Sequence, residues 1–314
     1  MTYREMPGIN QSRLKMILSD PRNYKEDTKI ETDGLRFGSL VDCLILDEDN
    51  FEKKYLIAKA KEPTATLLEI FNKTFPHCNE SQIEEIVNQQ SEDGKYTYWG
   101  STKDLEKRRK NWDNSEFWDY WKEKEKANKF ILVSQEDYDK ALNAKHNFRR
   151  DGFIAKLLRE QEINTHVVLQ FSYKEFNCKS ELDFVLINHK DKTIQELDVK
   201  SSTSNRFGFL SDIKKYKYDF QRAFYNIGMK KYAEDLGYTL LLPMIIYVPS
   251  FSNTPCYLFE FEEKYISGLD YVDKYGNHVE SVDSAFARLN WHLNNDLWEY
   301  PMDYYINGKF QVIL

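Results

Sequence analysis

Three consecutive stretches decide the fold: Glu181-Leu182-Asp183-Phe184-Val185-Leu186-Ile187, then Asn188-His189-Lys190-Asp191-Lys192, then Gln195-Glu196-Leu197-Asp198-Val199-Lys200-Ser201-Ser202. The two apolar runs read as strands, and the short polar segment between them predicts an antiparallel hairpin. Residues two apart on a strand share a face. Glu196, Asp198 and Lys200 therefore point one way, Leu197 and Val199 the other, and Asp183 reaches the same patch from the neighbouring strand. Two carboxylates and a lysine at a strand end suit a hard divalent cation, which takes oxygen ligands. The same alternation also suits a surface hairpin whose exposed face is charged. On an open face of this kind, Asp198→Ala is expected to leave the fold intact.

Outward from the hairpin, residues 165–173 read as a further strand, so that three sequential strands make an antiparallel meander. Residues 134–160 predict two helices, the first opened by Ser134 as N-cap with Glu136 and Asp137 in its first turn. His146 lies there, and a lone histidine reads as structural or as a ligand. After the hairpin, one helix is expected from Ser211-Asp212 to about Leu236. Between Asp198 and Lys231 stand eight basic residues, among them Lys214, Lys215, Lys217 and Arg222, against three acidic ones. This basic segment sits in a chain of net charge −7 and would offset the repulsion between phosphate and the nearby carboxylates. Gln221 and Tyr225, four apart, share a helix face. Residues 238–249 predict a strand with a bulge or an edge at Pro243. Residues 255–262 predict another strand, and 262–295 a mostly helical tail.

Toward the N-terminus, residues 9–20 predict a helix ended by Pro21. Residues 35–48 predict a second helix with an apolar stripe at 37, 40, 41, 44 and 45, in which Asp42 is the polar exception and reads as an edge carboxylate. Residues 63–128 show charged helical fragments at 64–74, 80–90, 101–110 and 115–128. There Trp99, Trp112, Trp118 and Trp121 surround Lys107-Arg108-Arg109-Lys110. That mixture suits either a single-strand channel or a solvated helix face with ordinary aromatic packing.

The 314 residues are enough for one large core with an annex. Cys43, Cys78, Cys178 and Cys256 form no CxxC, which argues against a disulfide framework or zinc knuckle and suits a cytoplasmic location. The opening Met1-Thr2-Tyr3-Arg4-Glu5 leads into no signal-peptide core, and no apolar run has membrane-spanning length.

The order helix–strand–strand–strand–helix–strand, with Asp183, Asp198-x-Lys200 and Gln221-x-x-x-Tyr225, resembles the PD-(D/E)xK nuclease superfamily. Within it the chain is most similar to RecE-type phage and prophage exonucleases. Ile9-Asn10-Gln11-Ser12 through Asp20-Pro21-Arg22-Asn23-Tyr24 and Leu35 through Asp42 are similar to that family's opening stretches. So is Asp198-Val199-Lys200-Ser201-Ser202 followed by Tyr216-x-Tyr218-Asp219-x-Gln221-x-Ala223-x-Tyr225. The likeness covers about residues 9–60 and 134–260.

The resemblance implies an α/β fold. A central mixed β-sheet flanked by helices would form a restriction-endonuclease-like core at 134–314, with an N-terminal helical region and insertion at 1–133. It implies a Mg²⁺-dependent DNA exonuclease, with Mn²⁺ as substitute, acting 5′→3′ on double-stranded ends in phage or prophage recombination. Asp183, Asp198 and the Val199 carbonyl would hold the metal, and Lys200 would be the catalytic lysine. Gln221 and Tyr225 would hold phosphate or support the site, with Lys214, Lys215 and Arg222 on the substrate. Glu196 and His146 are further candidates. The family often carries a glutamate on the strand before the first aspartate, and here that place reads as Gln170. An iron–sulfur cluster needs four suitably spaced cysteines, which the chain lacks. A single-strand annealing protein as partner and a ring-shaped homo-oligomer follow from the same resemblance. A structure-specific or restriction-like endonuclease, or a catalytically silent DNA-binding module, fits the same residues.

Overall fold

The computed structural model describes residues 3–26, 32–60, 120, 123–124, 127, 129–159 and 161–309. The helical fragments expected at 64–74, 80–90 and 101–110, most of 115–128, the four tryptophans and the Lys107–Lys110 cluster lie outside the described residues. The chain forms two compact units, Met1–Glu48 with Lys140–Leu314, and Asp49–Asp139. This differs from a division at 133/134, because the first helices join the same unit as the sheet.

The N-terminal part of the larger unit holds α1 (Gln11–Ser19), α2 (Pro21–Glu26) and α3 (Asp33–Leu46). The Asn10 side chain caps α1 by accepting from the Arg13 amide at 2.8 Å. Pro21 ends α1 as expected and also opens α2, a position where its missing N–H costs nothing. The segment before α1 is tied to the sheet. Ile9 exchanges backbone hydrogen bonds of 2.9 Å with Asn177 and Lys179, and the buried Lys179 ammonium donates to the carbonyls of Tyr3, Arg4 and Met6. Gly8 makes this approach feasible: its φ is +128°, and a Cβ there would stand 3.2 Å from the Cys178 carbonyl carbon.

In the smaller unit, α4 (Phe51–Lys54) leads into β1 (Tyr55–Ala58), which pairs in parallel with β2 (Ile131–Ser134). The Phe51 ring stands 5.5 Å from Tyr55 and 5.3 Å from Tyr138. The Ser134 hydroxyl accepts from the Asp137 amide at 3.1 Å, the expected cap of α5 (Gln135–Arg150), most of which belongs to the larger unit together with α6 (Gly152–Arg159).

The main sheet is built from β3 (Glu162–Tyr173), β4 (Phe176–Asn188) and β5 (Thr193–Ser202), the expected antiparallel meander. Two helices, α7 (Arg206–Lys215) and α8 (Tyr218–Leu236), then return the chain to β6 (Thr239–Leu240) and β7 (Met244–Pro249), both parallel to β5. Strand β8 (Tyr257–Glu260) closes the order β3-β4-β5-β7-β8. The fold is thus α/β with a central mixed sheet flanked by helices. Strand β5 is buried from Ile194 through Val199, as befits a central strand covered on both faces.

Three expectations need correction. The single helix over 211–236 is two helices. Lys217 takes a left-handed backbone (φ 53°), so Phe209 joins a cluster with Ile245, Tyr247 and Phe261 while Phe220, Ala223 and Phe224 join the main core. The strand over 238–249 is interrupted at Leu241–Pro243, consistent with proline's missing donor. The tail is less helical than expected before residue 282. It forms α9 (Glu263–Ile266) and a small hairpin of β9 (Tyr271–Val272) and β10 (His278–Val279), then α10 (Val282–Asn295) and α11 (Met302–Asn307). Asp273 fixes the hairpin turn by accepting from the amides of Tyr275 (2.8 Å) and Asn277 (2.9 Å).

Candidate active site

The β4–β5 ladder runs from the Asn188–Thr193 pair to the Phe184–Leu197 pair and stops. The next residues on the two strands are Asp183 and Asp198. Here the Val199 amide leaves the ladder and donates to the Asp183 Oδ2 at 2.8 Å, while β5 continues on β7 alone. The strands therefore fork, and both aspartates sit in the fork. Asp183 is half-buried and Asp198 is 2% exposed.

Glu196 and Asp198 do share a face, but that face is not open. Helix α8 covers it and inserts Arg222, which is 0% exposed. One guanidinium nitrogen binds Glu196 Oε1, and another binds Asp198 Oδ1 at 2.6 Å. The Lys200 ammonium ion-pairs with Asp198 Oδ2, and its side chain is 21% exposed. Arg222 is thus not a surface residue reaching for phosphate: it is the buried countercharge of the hairpin. Asp198→Ala accordingly is not neutral to folding, since it would strip a fully buried cation of one partner.

The remaining predicted residues separate into two groups. Gln221 and Tyr225 are buried beside Arg222. The Gln221 amide donates to the Tyr225 hydroxyl at 3.2 Å, and the Arg222 guanidinium lies 4.8 Å from the Tyr225 ring centroid. The Val199 carbonyl accepts from Lys200 at 3.4 Å. Away from the fork, Lys214 pairs with Asp273, and Lys215 lies over the Tyr216 ring. His146 is exposed on α5. Gln170 is exposed on β3 opposite Lys179, four positions from the residue that faces the fork. That residue is His166, which stands between the Thr165–Phe184 and Val167–Leu182 pairs, with φ 51°. Its Nδ1 is 3.4 Å from Glu181, which raises the imidazole pKa.

Two residues outside the predicted site contribute: Asp42, which the sequence reading leaves as a carboxylate at the edge of its stripe, and Lys15, which it does not single out. Asp42 of α3 enters the same field: burial, then Asp183 and Asp198, drive its carboxyl well above the usual range. Its signal was a charge inside an apolar stripe. Lys15 of α1 faces Lys200, Lys217 and Arg222; burial and these cations push its ammonium down to about 8.

The electrostatics follow from this crowding. Burial, then Asp198, lifts the Asp183 carboxyl to about 6. Burial also opposes the charges of Asp198, Lys200 and Arg222. Their mutual attraction outweighs it, keeping Asp198 below and the two cations above their ordinary values. Glu196 is pushed up by burial against the pull of Arg222. Its Oε2 is buried with no hydrogen-bond partner among the described residues, and Asp198 Oδ2 has only the Lys200 ammonium. The carboxylate oxygens gathered in this half-buried fork suit a hard divalent cation. No group of three His, Cys, Asp or Glu side chains among the described residues forms a ready metal cage, and Lys200 supplies the positive charge on Asp198.

These shifts give a test. Asp183 has a folded-state value near 6 against an ordinary 3.8. A raised carboxyl favours the folded state only while protonated, so its destabilising effect is absent below about pH 4 and complete above about pH 6. Asp183→Asn should therefore raise the melting temperature of EDTA-treated protein at pH 7.5, and the gain should shrink as pH falls through 6. Scanning fluorimetry showing an unchanged or lower melting temperature at pH 7.5 would contradict this assignment.

No protein-family model and no curated protein sequence matches the chain. Among solved structures, the chain is similar to the crystal structure of a protein from Eubacterium rectale called a "putative exonuclease". The two share 11% identity with a TM-score of 0.47, over 98% of this chain and 90% of that one. No helix among the described residues is long and apolar enough to cross a membrane.

Proposed function

We propose that the chain is a divalent-metal-dependent deoxyribonuclease that hydrolyses phosphodiester bonds from DNA ends. The observation that carries this reading is the fork, where Asp183, Asp198 and Lys200 converge as the β4–β5 ladder stops. Asp183, Asp198 and the Val199 carbonyl would hold Mg²⁺ or Mn²⁺, with Asp42 adding negative charge. When bound, the cation polarises the scissile phosphate and makes a bound water more acidic. Lys200, held cationic, orients that water or balances charge on the phosphorane. Arg222 fixes Asp198 from behind, and Gln221 and Tyr225 buttress Arg222. Action on double-stranded ends with 5′→3′ polarity, a role in phage recombination, a single-strand annealing partner and a ring oligomer rest on the family resemblance.

The deciding experiment digests end-labelled linear duplex and closed-circular plasmid with Mg²⁺, Mn²⁺, Ca²⁺ or EDTA. Label release from linear duplex with Mg²⁺, with EDTA abolishing it and the circle untouched, is the expected result. Nicking of the circle would make the protein an endonuclease. Binding without metal-stimulated cleavage would make it a silent DNA-binding module.

The basic turn beside the site yields a second test. Lys215 and Lys217 are exposed, whereas Lys214 is engaged by Asp273 and Arg222 is buried. Neutralising Lys215 and Lys217 together should flatten the log–log salt dependence of duplex binding by about 0.9 per lost phosphate contact. Titrations at several salt concentrations measure this, and an unchanged slope would assign both lysines to solvent.

A further inference from the structure

The turn between α7 and α8 carries groups that the carboxylate fork does not use. Tyr216 closes α7 and is 49% exposed. Its ring centroid lies 5.8 Å from that of Tyr218, with the planes inclined by 31°. The Tyr218 ring in turn lies 5.4 Å from the Lys200 ammonium. A ledge of two aromatic rings thus leads from the lysine of the fork to solvent.

Cations rim this ledge. The Lys15 ammonium, reaching across from α1, donates to the Tyr216 carbonyl at 3.3 Å. Lys215 lies 5.0 Å from the Tyr216 ring centroid. Lys217 is exposed and stands at the N-cap of α8 on a left-handed backbone, its side chain making no capping hydrogen bond to the helix. Neither Lys15 nor Lys217 forms an ion pair among the described residues. Ordinary surface lysines explain Lys215 and Lys217 taken alone. They do not explain Lys15, which is half-buried, comes from a distant part of the chain, and is held close to the like charges of Lys200, Lys217 and Arg222. Asp219 is the carboxylate that opposes this repulsion: its Oδ2 accepts from the Tyr271 hydroxyl, and its buried Oδ1 has no hydrogen-bond partner among the described residues. An anion placed between Lys15 and Lys217 would relieve the repulsion. A flat ring beside it would be covered by the Tyr216 face.

We propose that Tyr216, Tyr218, Lys15 and Lys217 form a subsite for one unpaired nucleotide, its base stacked on Tyr216 and its phosphate between Lys15 and Lys217. The inference rests on the nuclease reading and narrows its substrate: the strand that reaches the fork is single where it crosses the ledge. Frayed ends and single-strand overhangs are therefore preferred to firmly paired blunt ends. Stacking of this kind tolerates any base, because each presents a π-face.

The test uses the full-length protein in EDTA, so that binding is read without cleavage. Anisotropy of a labelled oligothymidylate and of a labelled blunt G·C-rich duplex is compared for wild type, Tyr216→Ala, Tyr216→Phe and Lys15→Gln. Tyr216→Ala should weaken oligothymidylate binding roughly five- to hundredfold, the range that stacking of one base converts to, and change duplex binding less. Tyr216→Phe should stay near wild type. Lys15→Gln should weaken oligothymidylate binding and reduce its salt slope by about 0.7, the single-strand value for one phosphate. Oligothymidylate affinity of Tyr216→Ala near wild type overturns the subsite, as does an equal loss on both substrates. If Tyr216→Ala misfolds, an unchanged Lys15→Gln salt slope still overturns it. Wild type that binds oligothymidylate through Tyr216 but never cleaves overturns the nuclease reading and leaves the ledge standing. Wild type that binds no DNA overturns both.

Discussion

Truncating Arg222 to alanine is expected to cost about 3–5 kcal/mol of folding stability, the penalty for breaking a buried ion pair by removing one partner. The guanidinium is 0% exposed and bridges Glu196 and Asp198, each 2% exposed. Without it, two carboxylates on one strand face would remain buried side by side, with only the Lys200 ammonium on Asp198. A loss of this size is a large fraction of the roughly 5–15 kcal/mol that holds a typical domain together. The cause can be separated from lost packing. Arg222→Met with Glu196→Gln and Asp198→Asn should recover much of the loss, because replacing a whole buried ionic group is far less costly than orphaning half of it. Urea denaturation of the three proteins measures this. A cost for Arg222→Ala within about 1 kcal/mol would be that of a solvated surface pair and would refute the buried role.

That role was not legible in the sequence. Arg222 stands among Lys214, Lys215, Lys217 and Lys230, and in composition it joins them as part of a basic helix. Its burial depends on α8 being covered on more than one side, with ten of its nineteen residues buried. Only the sheet determines that, and its contribution lies 24 to 26 positions away at Asp198 and Glu196. The hairpin, by contrast, was legible because alternation and a polar turn are local signals, and its strands fall close to where the pattern puts them. Asp42 lay between these cases: a carboxylate inside an apolar stripe is a visible anomaly, but its meeting with Asp183 and Asp198 is a tertiary fact. His166 could not be read at all. Its place opposite Asp183 depends on a left-handed backbone that no glycine or asparagine marks, and the family resemblance put Gln170 in that position instead. The break at Lys217 was hidden in the same way, since neither proline nor glycine stands there.

Lys200→Ala is expected to lower the cleavage rate by roughly 10²–10³, the usual effect of losing one preorganised electrostatic contact to the transition state. DNA binding measured in Ca²⁺ should stay close to wild type. The geometry separates this lysine from Arg222. Its side chain keeps 21% of its surface exposed, and its loss leaves Asp198 still paired with Arg222, so the fold should survive. Burial alone would favour the neutral amine, but Asp198 and Asp183 outweigh it and hold the ammonium above its ordinary range. Lys200 therefore stays cationic throughout the neutral range and does not serve as a general base. Under the proposed function it would act as a fixed positive charge beside the Val199 carbonyl and Asp198, where charge would develop on the phosphate. Two readouts follow. Single-turnover cleavage at saturating protein should carry nearly all of the loss, leaving the dissociation constant largely unmoved. The wild-type pH–rate profile should show no fall near pH 8–9 assignable to Lys200, and Lys200→Ala should leave the shape of the profile unchanged while lowering its height. A variant rate within a few-fold of wild type would reduce Lys200 to a countercharge for Asp198. An alkaline limb that disappears in the variant would show that the Lys200 ammonium loses its proton in that range and overturn the fixed-charge role.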